Sequence, residues 1–243
     1  MTKLLGLALA MAIACVATVR AAPCVDLALV LAVDGSGSIS DAEFEFQKSS
    51  IATALRADEV RHALQGAGIV IISAVFWGDG EFSNQQLSWH MVAGGRNIEA
   101  FAREIETTPR HVFGNTDIGS GLWTALDMLQ NAGVCADRTI VNISGDGKET
   151  LAPKRRQAAT LFVARERAMR MGVTVNALTV SDEVPDLADY FERSVITGAG
   201  SFVMDIRELR DFATAIRRKL AREIMSGMVA DIRHHVDIVS AAR

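Results

Sequence analysis

The chain has 243 residues, 49% of them hydrophobic and 22% charged, with a formal net charge of −4. That is the composition of an ordinary folded protein, long enough to bury one sizeable core. An acidic balance argues against nucleic acid as a partner, because such binders carry basic surfaces.

Residues 1–22 read as a signal peptide. Lys3 supplies the positive start, Leu4 to Thr18 is almost wholly apolar or small, and Ala21-Ala22 offers small residues for cleavage. Removing Lys3 and Arg20 takes the charge from −4 to −6. The apolar stretch is short for a bilayer span, and Cys15 fits a lipidation pattern only loosely. The expectation is a secreted or periplasmic protein with no transmembrane span in the mature chain. Cys24 and Cys135 then remain, and an oxidising compartment suggests one disulfide, with two separate buried thiols as the alternative. Spacing favours the pair: Cys24 lies ten residues before Asp34, and Cys135 eleven before Asp146. If both aspartates end adjacent parallel strands, the cysteines begin them. A one-residue offset moves an end by only ~3.3 Å between strands ~4.8 Å apart.

The run Leu27 to Val33 is apolar without alternation, which suits a central strand buried on both faces. It stops at Asp34, and Gly35 and Gly37 allow a sharp turn. Asp34, Ser36 and Ser38 thereby offer a carboxylate and two hydroxyls from one loop, half a site for a hard cation. Ser40 or Asp41 caps a helix over Glu43 to Leu55. Gly68 to Trp77 reads as a second strand, Gly78-Asp79-Gly80 as a turn, and Gln86 to Val92 as a shorter antiparallel edge strand. Asn97 caps a helix to Glu106. A loop rich in glycine and hydroxyls, 114–121, carries Thr116 into a helix with Leu122, Ala125, Leu126 and Leu129 on its apolar face. There Asn115 and Asp117 are expected to act as caps.

Thr139 to Ser144 is a third core strand, ending at Gly145-Asp146-Gly147. Its Asn142-Ile143-Ser144 matches a glycosylation acceptor, but burial in the strand makes the match meaningless. Helices over Arg155–Met171, Asp186–Ile196 and Glu208–Met225 alternate with strands over Val173–Val180 and Ser201–Ile206. The basic stretch Arg217-Arg218-Lys219-Arg222 reads as a solvated helix face. A polar tail, 227–243, holds His234 and His235, which adjacent positions on a helix would point apart. One domain over 24–226 follows. Its fold class is α/β: a doubly wound, mostly parallel six-stranded sheet with one antiparallel edge strand and helices on both faces. Right-handed crossovers gather the strand ends at one edge, so Asp34, Thr116 and Asp146 converge there.

Asp34-Gly-Ser36-Gly-Ser38, Thr116 in Asn-Thr-Asp-Ile-Gly-Ser-Gly-Leu, and Asp146 in Ile-Ser-Gly-Asp-Gly together resemble the metal-ion-dependent adhesion site of the von Willebrand factor type A (vWA) family. The resemblance covers nearly all of the mature chain and is closest in pattern to small secreted bacterial members. It implies direct ligation of a cation by Ser36 and Ser38, switchable ligation by Thr116, and contact through water from Asp34 and Asp146. The implied ion is Mg²⁺, with Mn²⁺ or Ca²⁺ as alternatives, and the implied partner is a protein offering Asp or Glu to the metal. Trp77 and Asp79, past the second strand at the same edge, are expected either at the rim of the partner surface or simply in the hairpin turn.

No Gly-x-Ser-x-Gly elbow, His-Glu-x-x-His or Walker sequence is present, so the expectation is a binding module and not an enzyme. The alternatives are a metal-dependent hydrolase in the same fold, which lacks an evident third carboxylate or histidine as base, and a structural periplasmic subunit.

Overall fold

The computed structural model describes residues 24–79, 82–150 and 159–241, with side chains described as far as Ser226. The signal-peptide reading, Gly80 and the first residues of the helix expected from Arg155 lie outside the described residues. The elements run β1 (Cys24–Asp34), α1 (Asp41–Arg56), α2 (Asp58–Gly66), β2 (Ile69–Trp77), β3 (Gln85–Gln86), β4 (His90–Ala93), α3 (Ile98–Thr107), α4 (Ile118–Gln130), β5 (Cys135–Gly145), α5 (Leu161–Met171), β6 (Thr174–Val180), α6 (Leu187–Ser194), β7 (Val203–Ile206) and α7 (Phe212–Ala241).

The sheet order is β3-β2-β1-β5-β6-β7, with β4 also paired to β2. The β2–β1–β5–β6–β7 pairings are all parallel. β1 is central, and alternation along it feeds two layers. Leu27, Leu29, Leu31 and Val33 pack with α1, α2, α3 and α7. Ala28, Val30 and Ala32 pack with α4, α5 and α6. Each fully buried leucine of this strand contributes on the order of 2 kcal/mol of hydrophobic stabilisation.

The sheet has seven strands and not six because the antiparallel edge divides. β3 pairs Gln86 with Val75, whereas β4 pairs His90 with Ile72. Leu87, Ser88 and Trp89 therefore oppose Ala74 and Ser73, one residue in excess, which is a bulge in the edge strand. The Ser73 hydroxyl fills the disrupted ladder by donating to the Leu87 carbonyl at 3.0 Å. α2 was not expected; its signal is Asp58-Glu59 at the start with Val60, Ala63 and Leu64 buried at helical spacing. The last helix continues through the stretch expected as a tail, because nothing after Gly227 breaks it.

Cys24 pairs with Cys135 in register, and the two form a disulfide with Cα atoms 4.5 Å apart. The same register sets Val33 beside Ser144, so Asp146 falls two residues past the last pair and Asp34 one. Asn142 is buried in β5, as the strand reading required.

Candidate cation site at the carboxyl edge of the sheet

Strand order reverses about β1, with β2 on one side and β5 on the other, and this is where ligands of open α/β sheets bind. At that edge the loop after β1 turns back under its own carboxylate: the Ser36 N–H donates to Asp34 Oδ1 at 2.7 Å. Ser40 then opens α1 with a reciprocal capping box to Glu43, which fixes where the loop ends.

Five side chains meet here. Thr116 Oγ1 donates to Ser36 Oγ at 3.3 Å, Ser36 Oγ lies 3.3 Å from Ser38 Oγ, and Ser38 Oγ donates to Asp146 Oδ1 at 2.8 Å. Asp34 and Ser36 are fully buried and Thr116 nearly so, whereas Ser38 faces solvent. Asp34 Oδ2 is buried without a hydrogen-bond partner. A Cβ on Gly145 would stand 3.2 Å from that oxygen, so a residue without a side chain keeps the space beside it open.

Electrostatically the cradle is short of positive charge. Burial first, and the neighbouring Asp146 carboxylate second, push Asp34 up to about 8, against the bonds from Ser36 and the charge of Arg110. Asp146 is also raised, by burial foremost, opposed by the Ser38 hydroxyl and reinforced by Asp182 and Glu183. Among the described residues no group of three or more His, Cys, Asp or Glu converges to hold a metal. An ion here would draw on hydroxyls as well as carboxylates. Two carboxylates, one with an orphaned buried oxygen, and three hydroxyls within hydrogen-bond distance of one another fit a hard, oxygen-seeking cation.

The supporting residues were less visible in the sequence. Arg110 lies beneath the first loop. Its guanidinium donates to the carbonyls of Gly35, Ser36 and Ile39, each at 2.9 Å, and pairs with Asp41 at 2.8 Å. It also stacks over Phe44 and Phe113. Thr150 clasps the Thr116 loop from both ends: its hydroxyl accepts from the Thr116 N–H at 3.0 Å and its own N–H donates to the Thr116 carbonyl at 2.9 Å. Glu149 accepts from the Gly119 N–H at the start of α4. Only the position of Glu149 and Thr150, just after Gly145-Asp146-Gly147, could have drawn attention to them.

The expectations for four residues are corrected. Trp77 is fully buried, packed against Gly121, where a Cβ would come within 2.6 Å of the indole; it forms no rim. Asp79 is also buried, and it fastens the Thr116 loop by accepting from the side chain and N–H of Asn115 at 2.7 and 3.2 Å. Asn115 is thereby a tether and not a cap, while Asp117 does cap α4 through Ser120 N–H at 2.9 Å. Asn97 holds the residue before α3 with a left-handed φ of 70° but makes no side-chain cap bond.

The arrangement is vWA-like in fold. Solved structures similar to it include the open form of the pilus adhesin SpaC from Lactobacillus rhamnosus GG, at TM-score 0.60 and 14% identity, covering 83% of this chain and 30% of that one. A von Willebrand factor type A protein from Catenulispora acidiphila matches at 0.53 and 16%, covering 82% and 42%. The SpRpn10 VWA domain matches at 0.51 and 17%, covering 77% and 93%. This chain thus spans under a third of the adhesin but nearly all of the isolated VWA domain. No curated protein matches it by sequence. The chain belongs to the family described as protein of unknown function (DUF1194), whose model matches residues 24–228.

Proposed function

We propose that this is a secreted, cation-dependent protein-binding module in which Asp34, Ser36, Ser38, Thr116 and Asp146 hold a divalent ion, Mg²⁺ by preference. The observation that carries the reading is the unbroken line of oxygens from Thr116 through Ser36 and Ser38 to Asp146, together with the buried, unpartnered Oδ2 of Asp34 in the same loop. When bound, the cation supplies a positive centre that an Asp or Glu of a protein partner completes. The protein's own part is to hold its loops rigid, through Arg110 and Thr150, and to keep Ser38 open to solvent. The likeness to an adhesin and to other vWA domains supports docking in place of turnover. Secretion is supported by the disulfide between Cys24 and Cys135, a bond of oxidising compartments. Among the described residues no helix is long and apolar enough to cross a membrane.

Isothermal titration of the protein with Mg²⁺ is expected to show one site in the native chain and none in Asp34→Ala. Equal heats from the two proteins defeat the assignment. A pulldown from envelope extract, with and without EDTA, then tests the partner: capture indifferent to chelator favours a structural subunit instead.

A further inference from the structure

The opposite edge of the sheet, where β5, β6 and β7 begin, holds a cavity of about 490 Å³, within the size range of small-molecule sites. Its lining includes Arg138, Arg222, Thr139, Thr174, Ser226 and Phe202. Among the described residues neither arginine has a carboxylate within ion-pair distance, although most other arginines of the domain do; Asp26 attracts Arg138 only from further off. Arg138 instead donates to the α7 carbonyls of Glu223 and Ile224 at 3.2 and 3.0 Å and to Ser226 Oγ at 3.2 Å. Arg222 lies over the Phe202 ring, 3.5 Å from its centroid. A guanidinium stacked on a ring keeps its in-plane N–H groups for an acceptor at its edge. Asp137 is the one acidic residue of the lining, so the cavity carries net positive charge in a protein that is negative overall. The nearby Glu223 carboxylate adds no attraction for cations. Lys219 and the amides of Asn142 and Asn176 already occupy it, at 2.7, 2.6 and 3.0 Å.

We infer that this cavity is a binding site for a small organic anion, a carboxylate- or phosphate-bearing molecule held by Arg138 and Arg222 and by the hydroxyls of Thr139 and Thr174. The Ser226 hydroxyl already donates to the Glu223 carbonyl at 2.7 Å. Two guanidinium groups with no carboxylate at ion-pair distance among the described residues, Arg222 with its edge open and Arg138 with part of its donor set left over, supply with the two threonine hydroxyls the donors that planar or tetrahedral oxyanions require. The site stands on the far side of the sheet from the proposed cation site and does not depend on it.

Inorganic phosphate and citrate are titrated calorimetrically into the full chain, free of divalent cations and at constant ionic strength. At least one anion is expected to saturate a single site. Binding weakens tenfold or more in Arg222→Gln, an exposed residue whose loss spares the core, and in Arg138→Gln. It is unchanged in Arg210→Gln, which removes the same charge near the opposite edge. Saturation by phosphate alone assigns a phosphoryl ligand, by citrate alone a carboxylate, and by both the shared oxyanion chemistry. If neither anion saturates the full chain, or if Arg222→Gln binds as tightly as the native protein, the inference fails.

Discussion

Two clusters of buried charge lie on the two sides of this molecule's carboxyl-to-amino axis, and they are built to opposite rules. Under α7, Glu223 receives Lys219, Asn142 and Asn176, so every strong donor and acceptor there has found a protein partner. At the carboxyl edge, Asp34 and Asp146 face each other's charge with hydroxyls between them, and one buried oxygen has no partner. The first cluster is closed and bears on stability. The second is open, because its deficit is of a kind that only a ligand from outside can fill.

The closed cluster gives the largest expected effect. Lys219→Met leaves Glu223 buried without its cation and should cost about 3–5 kcal/mol in urea unfolding. Adding Glu223→Leu should recover only part of that loss: it removes the uncompensated charge but leaves the buried amides of Asn142 and Asn176 without their acceptor. A single variant costing under ~1 kcal/mol would erase the distinction between the two clusters.

Titration sharpens the same point. Burial draws Lys219 from its ordinary 10.5 down to about 8, against the pull of Glu223. Between those values the unfolded chain binds the proton and the folded one does not, so stability rises with pH across about 8 to 10.5. The gain is on the order of 3 kcal/mol relative to the double variant, in which this contribution is missing. Parallel pH profiles of the two proteins would contradict the shift.

The open cluster should respond differently. Arg110→Met removes donors from three carbonyls under the first loop and is expected to cost about 1–3 kcal/mol, read as a lowered thermal midpoint. The loosened loop should also weaken Mg²⁺ binding, and an unchanged titration would show that the loop holds without it. Ser38→Ala lies at the other end of the scale. An exposed hydroxyl contributes within ~0.5 kcal/mol to stability, yet this one should lower cation affinity tenfold or more. A variant that loses stability while keeping affinity would reverse the roles assigned to the two clusters.

The sequence by itself determined what is local. The unalternating run of β1, the glycines around Ser36 and Ser38, the loop before α4 and the turn after β5 each depend on a few neighbouring residues. The near-equal spacing of ten and eleven residues from Cys24 and Cys135 to the two aspartates even placed the cysteines at the starts of adjacent parallel strands, as they are paired in β1 and β5. Tertiary structure alone decided which long or polar side chains go inside, since their partners are remote in the chain. Arg110 reaches a carbonyl 75 residues away, and Asn142 meets Glu223 across 81. A basic run on a helix therefore read as solvated, although Lys219 is fully buried within it. Trp77 was expected at a rim for the same reason: only the packing of α4, with glycine at position 121, shows that the indole has a place in the core. Backbone conformation is written mostly in short range, whereas burial of charge is settled by which distant group arrives to neutralise it.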